Sequence, residues 1–358
     1  MKFGFKLFFI LTASAASLAA QSARIKPSPT PTPNPGLRPS VIYVPANQES
    51  ATRPKTVPTP TARVDDDGGE VIKVENALVP IPATVVDPGG RAITNLRIPD
   101  FELRIDGKPA EITEITRAET PIRLALLFDN SSSVMIAREF EKDAAIKFFR
   151  RVIQPEKDLA ALFSLADATR LEQPFTKNIS LLTQAIQSFP EPKGATALLD
   201  GIIEVADYLR DADGRRVLVL VSDGEDTISD YATTLEKVIK ELQLTNTQVY
   251  VVKTKDFENF KRTGQRAGNA NIRALEAERR MIEITRQTGG SVYSPIDEQE
   301  LDDAFRQISA ELAQQYILSY YPDDASADRG QFRQISLTVK NRSSLNVRTR
   351  AGYYVPKK

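Results

Sequence analysis

Residues 124–133 read LALLFDNSSS: five apolar side chains, then an acid, an amide and three hydroxyls. An unbroken apolar run of this length fits a strand buried on both faces, which belongs to a parallel sheet covered by helices. Three more runs of the same kind follow at 159–165, 217–221 and 249–252. Between and beyond them lie amphipathic stretches at 135–152, 179–189, 197–209, 235–244 and 301–312. In the first, Ile136, Phe140, Ala144, Phe148 and Val152 recur at spacings of four, the period of one helix face. Strand and helix in alternation, joined by right-handed crossovers, predict an α/β fold with a doubly wound, mainly parallel sheet.

In an open parallel sheet ligands bind where the strands end, so the residues just after the apolar runs are the place to seek function. After 124–128 come Asp129, Asn130, Ser131, Ser132 and Ser133, and after 217–221 come Ser222, Asp223 and Gly224. Gly194, Ala195 and Thr196 stand just before the helix beginning near Ala197. All three loops present oxygen. The sequence has no His and no Cys, which removes the imidazole base, the thiolate nucleophile, disulfides and the soft metal ligands together. What remains suits hard cations such as magnesium, manganese or calcium. Lys plus Arg and Asp plus Glu both number 47, so no charge excess is available for nucleic acid or an acidic membrane surface.

Asp129, Ser131 and Ser133 at alternate positions, Thr196 at the head of a later helix and Asp223 in a Ser-Asp-Gly turn resemble the metal-ion-dependent adhesion site of von Willebrand factor A domains. The resemblance covers about residues 119–312. It implies that Asp129 sits at a metal centre, directly or through water, with Ser131 and Ser133 ligating by their hydroxyls. Thr196 then adds a hydroxyl from the second loop, and Asp223 ligates directly or through water from the third. Asp100-Phe101-Glu102, Thr288-Gly289-Gly290, Tyr320-Tyr321-Pro322 and Ala351-Gly352-Tyr353-Tyr354 resemble segments of secreted VWFA-related proteins described from acidobacteria.

The flanks read differently. Lys2 and Lys6, the apolar run 7–11 and the small residues 13–20 make residues 1–20 a secretory signal, with cleavage after Ala19 or Ala20. Residues 21–69 form a Pro- and Thr-rich disordered linker ending in the acidic run Asp65-Asp66-Asp67, whose ligand spacing does not match a calcium loop. Residues 70–118 alternate apolar and polar around the turns at Asp87-Pro88-Gly89-Gly90 and Asp106-Gly107, and residues 313–358 return to strand patterning after the last helix. Neither segment buries a core alone. Either they pair into one β-rich unit, leaving residues 119–312 as an insertion, or each packs separately on the α/β unit.

The expected function is an exported, non-enzymatic, protein-binding module, periplasmic or extracellular, with no membrane span in its mature chain. Its partner is a protein that offers an Asp or Glu carboxylate to a bound divalent cation, magnesium first. An envelope assembly component using the β-rich unit as its contact surface is the alternative. A metal-dependent phosphatase of the haloacid-dehalogenase type is more remote, since its general acid would stand at position 131, which is Ser131. Glu225, Asp226 and Asp230 offer either a second cation position or solvated loop charge. Residues 257–280, with mixed charges, read as a solvated helix face with a mobile loop rather than a basic patch.

Overall fold

The computed structural model describes residues 78–117, 120–132, 138–265, 272–322 and 330–355. The expectations for residues 1–20 and 21–69, and the side chain of Ser133, lie outside the described residues.

Six strands form the central sheet. The apolar runs become β5 (Ile122–Asp129), β6 (Leu159–Leu165), β8 (Arg215–Ser222) and β9 (Thr247–Lys253). Two edge strands, β7 (Thr169–Thr176) and β10 (Val292–Tyr293), complete the order β10-β9-β8-β5-β6-β7. Every pairing is parallel except β6 with β7. Alternate residues of β5 point to opposite faces, and each face has its own helices. Leu124, Leu126 and Phe128 pack with α1 (Arg138–Val152), α2 (Ile179–Gln187) and α7 (Glu298–Gln314). Ala125 and Leu127 pack with α3 (Leu198–Leu209), α4 (Leu235–Leu244) and α6 (Ile272–Thr288).

The described part of the charged stretch 257–280 is helical with a largely exposed charged face, as expected, and the loop expected within it lies outside the described residues. The stretch contributes to α5 (Lys255–Thr263) and α6, and both bury apolar residues: Phe257 in the first, Ala277, Met281 and Ile284 in the second. Helical spacing of a few apolar positions is enough to dock a helix whose remaining positions are charged.

The flanking segments pair with each other. One sheet runs β13 (Asn346–Thr349), β1 (Val79–Val86), β11 (Tyr316–Tyr320), β4 (Glu114–Arg117), and the other β14 (Gly352–Tyr354), β12 (Phe332–Val339), β2 (Phe101–Ile105), β3 (Lys108–Ala110). Antiparallel registers such as Ile81↔Leu318 and Leu103↔Leu337 join the two ends of the described chain. Apolar residues of both sheets share one core, within which the Tyr316 hydroxyl accepts from Leu96 N (2.9 Å) and donates to Ile93 O (2.9 Å). The expectation of flanking antiparallel sheets built from both ends is met, because each segment alone exposes an apolar face that the other covers.

Candidate metal centre

Asp129 is the last residue of β5 and Ser222 the last of the neighbouring β8, so the parallel register delivers both to the carboxyl end of the sheet. Asp129 Oδ1 accepts the Ser131 amide at 2.9 Å and Oδ2 accepts the Ser222 hydroxyl at 2.6 Å. Both bonds fix the carboxylate. Ser222 Oγ in turn accepts the Gly224 amide at 3.0 Å, which shapes the turn carrying Asp223. Gly224 takes φ +82 in that turn, a conformation natural to glycine, and its carbonyl accepts from Arg280 at 3.0 Å.

Asp223 is 2% exposed and uses Oδ1 to accept the Glu225 amide at 3.0 Å. Its Oδ2 is buried without a hydrogen bond, and the Lys255 ammonium stands 3.5 Å away. Lys255 also binds Glu225 at 2.8 Å. Burial, reinforced by the neighbouring Asp223 charge, pushes the Asp129 carboxyl up to about 6, against the Ser222 and Ser131 hydrogen bonds that favour its ionised form.

The middle loop is anchored on both sides. Thr196 is buried, its amide donates to Thr227 Oγ1 at 2.8 Å and its carbonyl accepts the Thr227 amide at 2.9 Å. The Ser132 hydroxyl donates to Gly194 O at 2.6 Å, tying the first loop to the second. Thr196 thus lies on the loop bound to both neighbours. Of the five residues singled out, Asp129, Ser131, Thr196 and Asp223 belong to this cluster of loops, and all four are buried.

The acids considered for a second cation have other work. Asp226 Oδ1 accepts the Leu198 amide at 2.9 Å and the Ser229 hydroxyl at 2.6 Å, capping the start of α3. Asp230 Oδ1 accepts the Ala232 amide at 2.8 Å, and Glu225 pairs with Lys255. Asp226 thus serves as a cap, Asp230 as a turn residue and Glu225 as an ion-pair partner.

Among the described residues no group of three or more acidic side chains is gathered to hold a metal. A cation here would rest on two carboxylates and hydroxyls, and the donor chemistry fits a hard ion: all oxygen, two buried acids of which Asp223 raises the cost of ionising Asp129, and one carboxylate oxygen without a hydrogen bond. Ser222 and Lys255 were not singled out in the sequence. Ser222 was visible as the residue before Asp223, but its bond to Asp129 spans 93 positions and follows only from the β5–β8 register.

A mainly parallel sheet covered on both faces, with acid and hydroxyl loops gathered at its carboxyl end, defines a doubly wound α/β protein. The von Willebrand factor type A domain model matches residues 124–306, and the chain belongs to that family. Its fold is similar to the PilB minor pilin from Streptococcus sanguinis, at 12% identity and TM-score 0.42, covering 55% of this chain and 62% of the pilin. An aerotolerance-related membrane protein from Bacteroides fragilis shares 18% identity at TM-score 0.40, over 53% of this chain and 98% of that one. A von Willebrand factor type A protein from Catenulispora acidiphila shares 11% identity at TM-score 0.43, over 74% and 76%. No curated protein matches the chain. Among the described residues no helix is long and apolar enough to cross a membrane.

Proposed function

We propose that the chain is an exported, non-enzymatic interaction module, periplasmic or extracellular, whose Asp129, Ser131, Ser133, Thr196 and Asp223 hold a divalent cation. Magnesium is the preferred ion, with manganese or calcium as alternatives. The observation that carries this reading is the buried Asp223 Oδ2, without a hydrogen bond, on the turn held by the same Ser222 that orients Asp129. Such an ion, ligated directly by hydroxyls and only one of the two carboxylates while the other acts through water, retains positive charge and attracts an Asp or Glu carboxylate of a protein partner. The chain's own residues do the positioning: Ser222 and the Ser131 amide orient Asp129, the Glu225 amide orients Asp223, and Thr227 holds the Thr196 loop. No residue is assigned a catalytic role.

The test is retention of envelope or secreted proteins on the immobilised chain, with magnesium and again with a chelator. The expected result is a partner that elutes on chelation and is not retained by Thr196→Ala. Retention unchanged by both would place recognition on the antiparallel sheets and contradict the reading.

A further inference from the structure

A cavity of about 120 Å³ opens at the opposite pole, where β5, β8 and β9 begin and where Arg350, just after β13, reaches the α/β portion. Arg215, Arg216 and Arg350 line it and, among the described residues, no Asp or Glu does. Pro80, Pro82, Leu242 and Ile317 supply an apolar side.

Each guanidinium is fixed by neutral acceptors. Arg215 donates to Leu312 O at 3.0 Å and to Gln315 Oε1 at 3.2 Å. Arg216 donates to Ala212 O and Thr245 O, both at 2.8 Å. Arg350 donates to Pro80 O at 2.8 Å and to Asn246 Oδ1, while its Nε is buried without a hydrogen bond. These bonds hold the three groups in place through neutral partners. Burial lowers the basicity of all three, that of Arg350 to about 10. From outside the wall, the Tyr250 phenol and Asp158 act on Arg215, Asp211 and Asp213 act on Arg216, and only the phenols of Tyr353 and Tyr320 act on Arg350.

Capping of helix ends accounts for part of this arrangement. The carboxyl ends of α4, α6 and α7 lie here, each carrying roughly half a unit of negative charge, and Asp158, Asp211 and Asp213 act on Arg215 and Arg216, but no carboxylate acts on Arg350. The buried Arg350 guanidinium, with its Nε unpartnered and no carboxylate acting on it, carries a cost that a bound anion would remove.

We propose that this cavity binds a small organic oxyanion, a carboxylate or phosphate head on a compact apolar body. Arg215, Arg216 and Arg350 give charge-assisted hydrogen bonds to the head, and Pro80, Leu242 and Ile317 receive the body. Because Pro80 lies in β1 and Arg350 directly follows β13, while Arg215 and Arg216 belong to β8 of the central sheet, the occupant bridges both parts of the described chain.

The full chain is titrated with benzoate, phenyl phosphate, benzyl alcohol and inorganic phosphate while the thermal midpoint is followed, since a ligand of the native state raises it saturably. The expected result is a saturable rise with benzoate or phenyl phosphate, little effect of benzyl alcohol, and a weaker effect of inorganic phosphate, which lacks the body. Arg216→Gln should weaken binding by about tenfold. If that variant fails to fold, the ranking of charged over neutral probes on the wild-type chain still decides. Equal shifts from benzoate and benzyl alcohol, no saturable shift from either anion, or a folded Arg216→Gln chain that binds as well as wild type would overturn the assignment.

Discussion

With 1% exposure and the Asp223 charge beside it, Asp129 holds its proton up to about pH 6 in the folded chain, against 3.8 without those neighbours. The folded state therefore favours the neutral acid. That contribution to stability is fully present below about 3.8 and is lost as pH rises through about 6. It amounts to at most about 3 kcal/mol. Glu141 is buried with neither carboxylate oxygen hydrogen-bonded, its carboxyl is raised by burial and by Glu258, and it acts in the same direction. In the presence of chelator, Asp129→Asn should thus raise the thermal midpoint at neutral pH and flatten its decline between acid and neutral conditions. A lower midpoint than wild type at neutral pH would show that the charge itself supports the fold. Lys255 bears on the same balance, since its ammonium competes for Asp223 Oδ2. Lys255→Met should strengthen magnesium binding by up to about tenfold, the partly exposed pair being screened by solvent. Calorimetry checks this, and weaker binding would make Lys255 a support of the site rather than a competitor.

The elements that position these residues differ in how plainly the sequence shows them. The runs ending at Phe128 and Val221 are apolar on both faces, so β5 and β8 and the loops after them could be read directly. β7 was missed: Thr169–Thr176 is half-buried, polar and interrupted by Pro174, and an edge strand needs neither face to be continuously apolar. The apolar face of α6 was hidden by its charged positions, because only a few residues at helical spacing touch the sheet. The site's acids and hydroxyls were legible from their place after the runs, whereas the bonds of Ser222 and Lys255 needed the register of strands distant in sequence. One glycine tests the loop between them. Gly194 has φ +83, and a Cβ there would lie 2.4 Å from Asp167 Oδ1, the acceptor of the Ala195 amide. Gly194→Ala should cost about 1–2 kcal/mol and weaken cation binding by displacing Thr196. Gly90→Ala has a similar φ of +78 and open space around it, so it should cost stability without altering the cation titration. If both variants bind magnesium like wild type, the Thr196 loop does not contribute.

At the scale of the whole described chain, two kinds of core coexist. Both clusters around the central sheet draw their buried residues from positions 122–312, while the third is assembled from both flanks. A fragment of residues 119–314 should therefore fold and bind magnesium as the full chain does, its circular dichroism showing a cooperative thermal transition. A chain ending at residue 321 should aggregate, because Phe101, Leu103 and Ile105 lose β12 as their partner. A soluble, cooperative product from that truncation would mean that the first flank packs without the second. Family membership and the carboxyl-end placement of Asp129 and Asp223 converge on one central claim, a divalent cation held by these loops. Calorimetric titration of the full chain with magnesium chloride at neutral pH tests it most directly. The account predicts a saturable single-site isotherm that Asp129→Ala and Asp223→Ala each abolish; a featureless wild-type titration, or an isotherm preserved in Asp129→Ala, would contradict it.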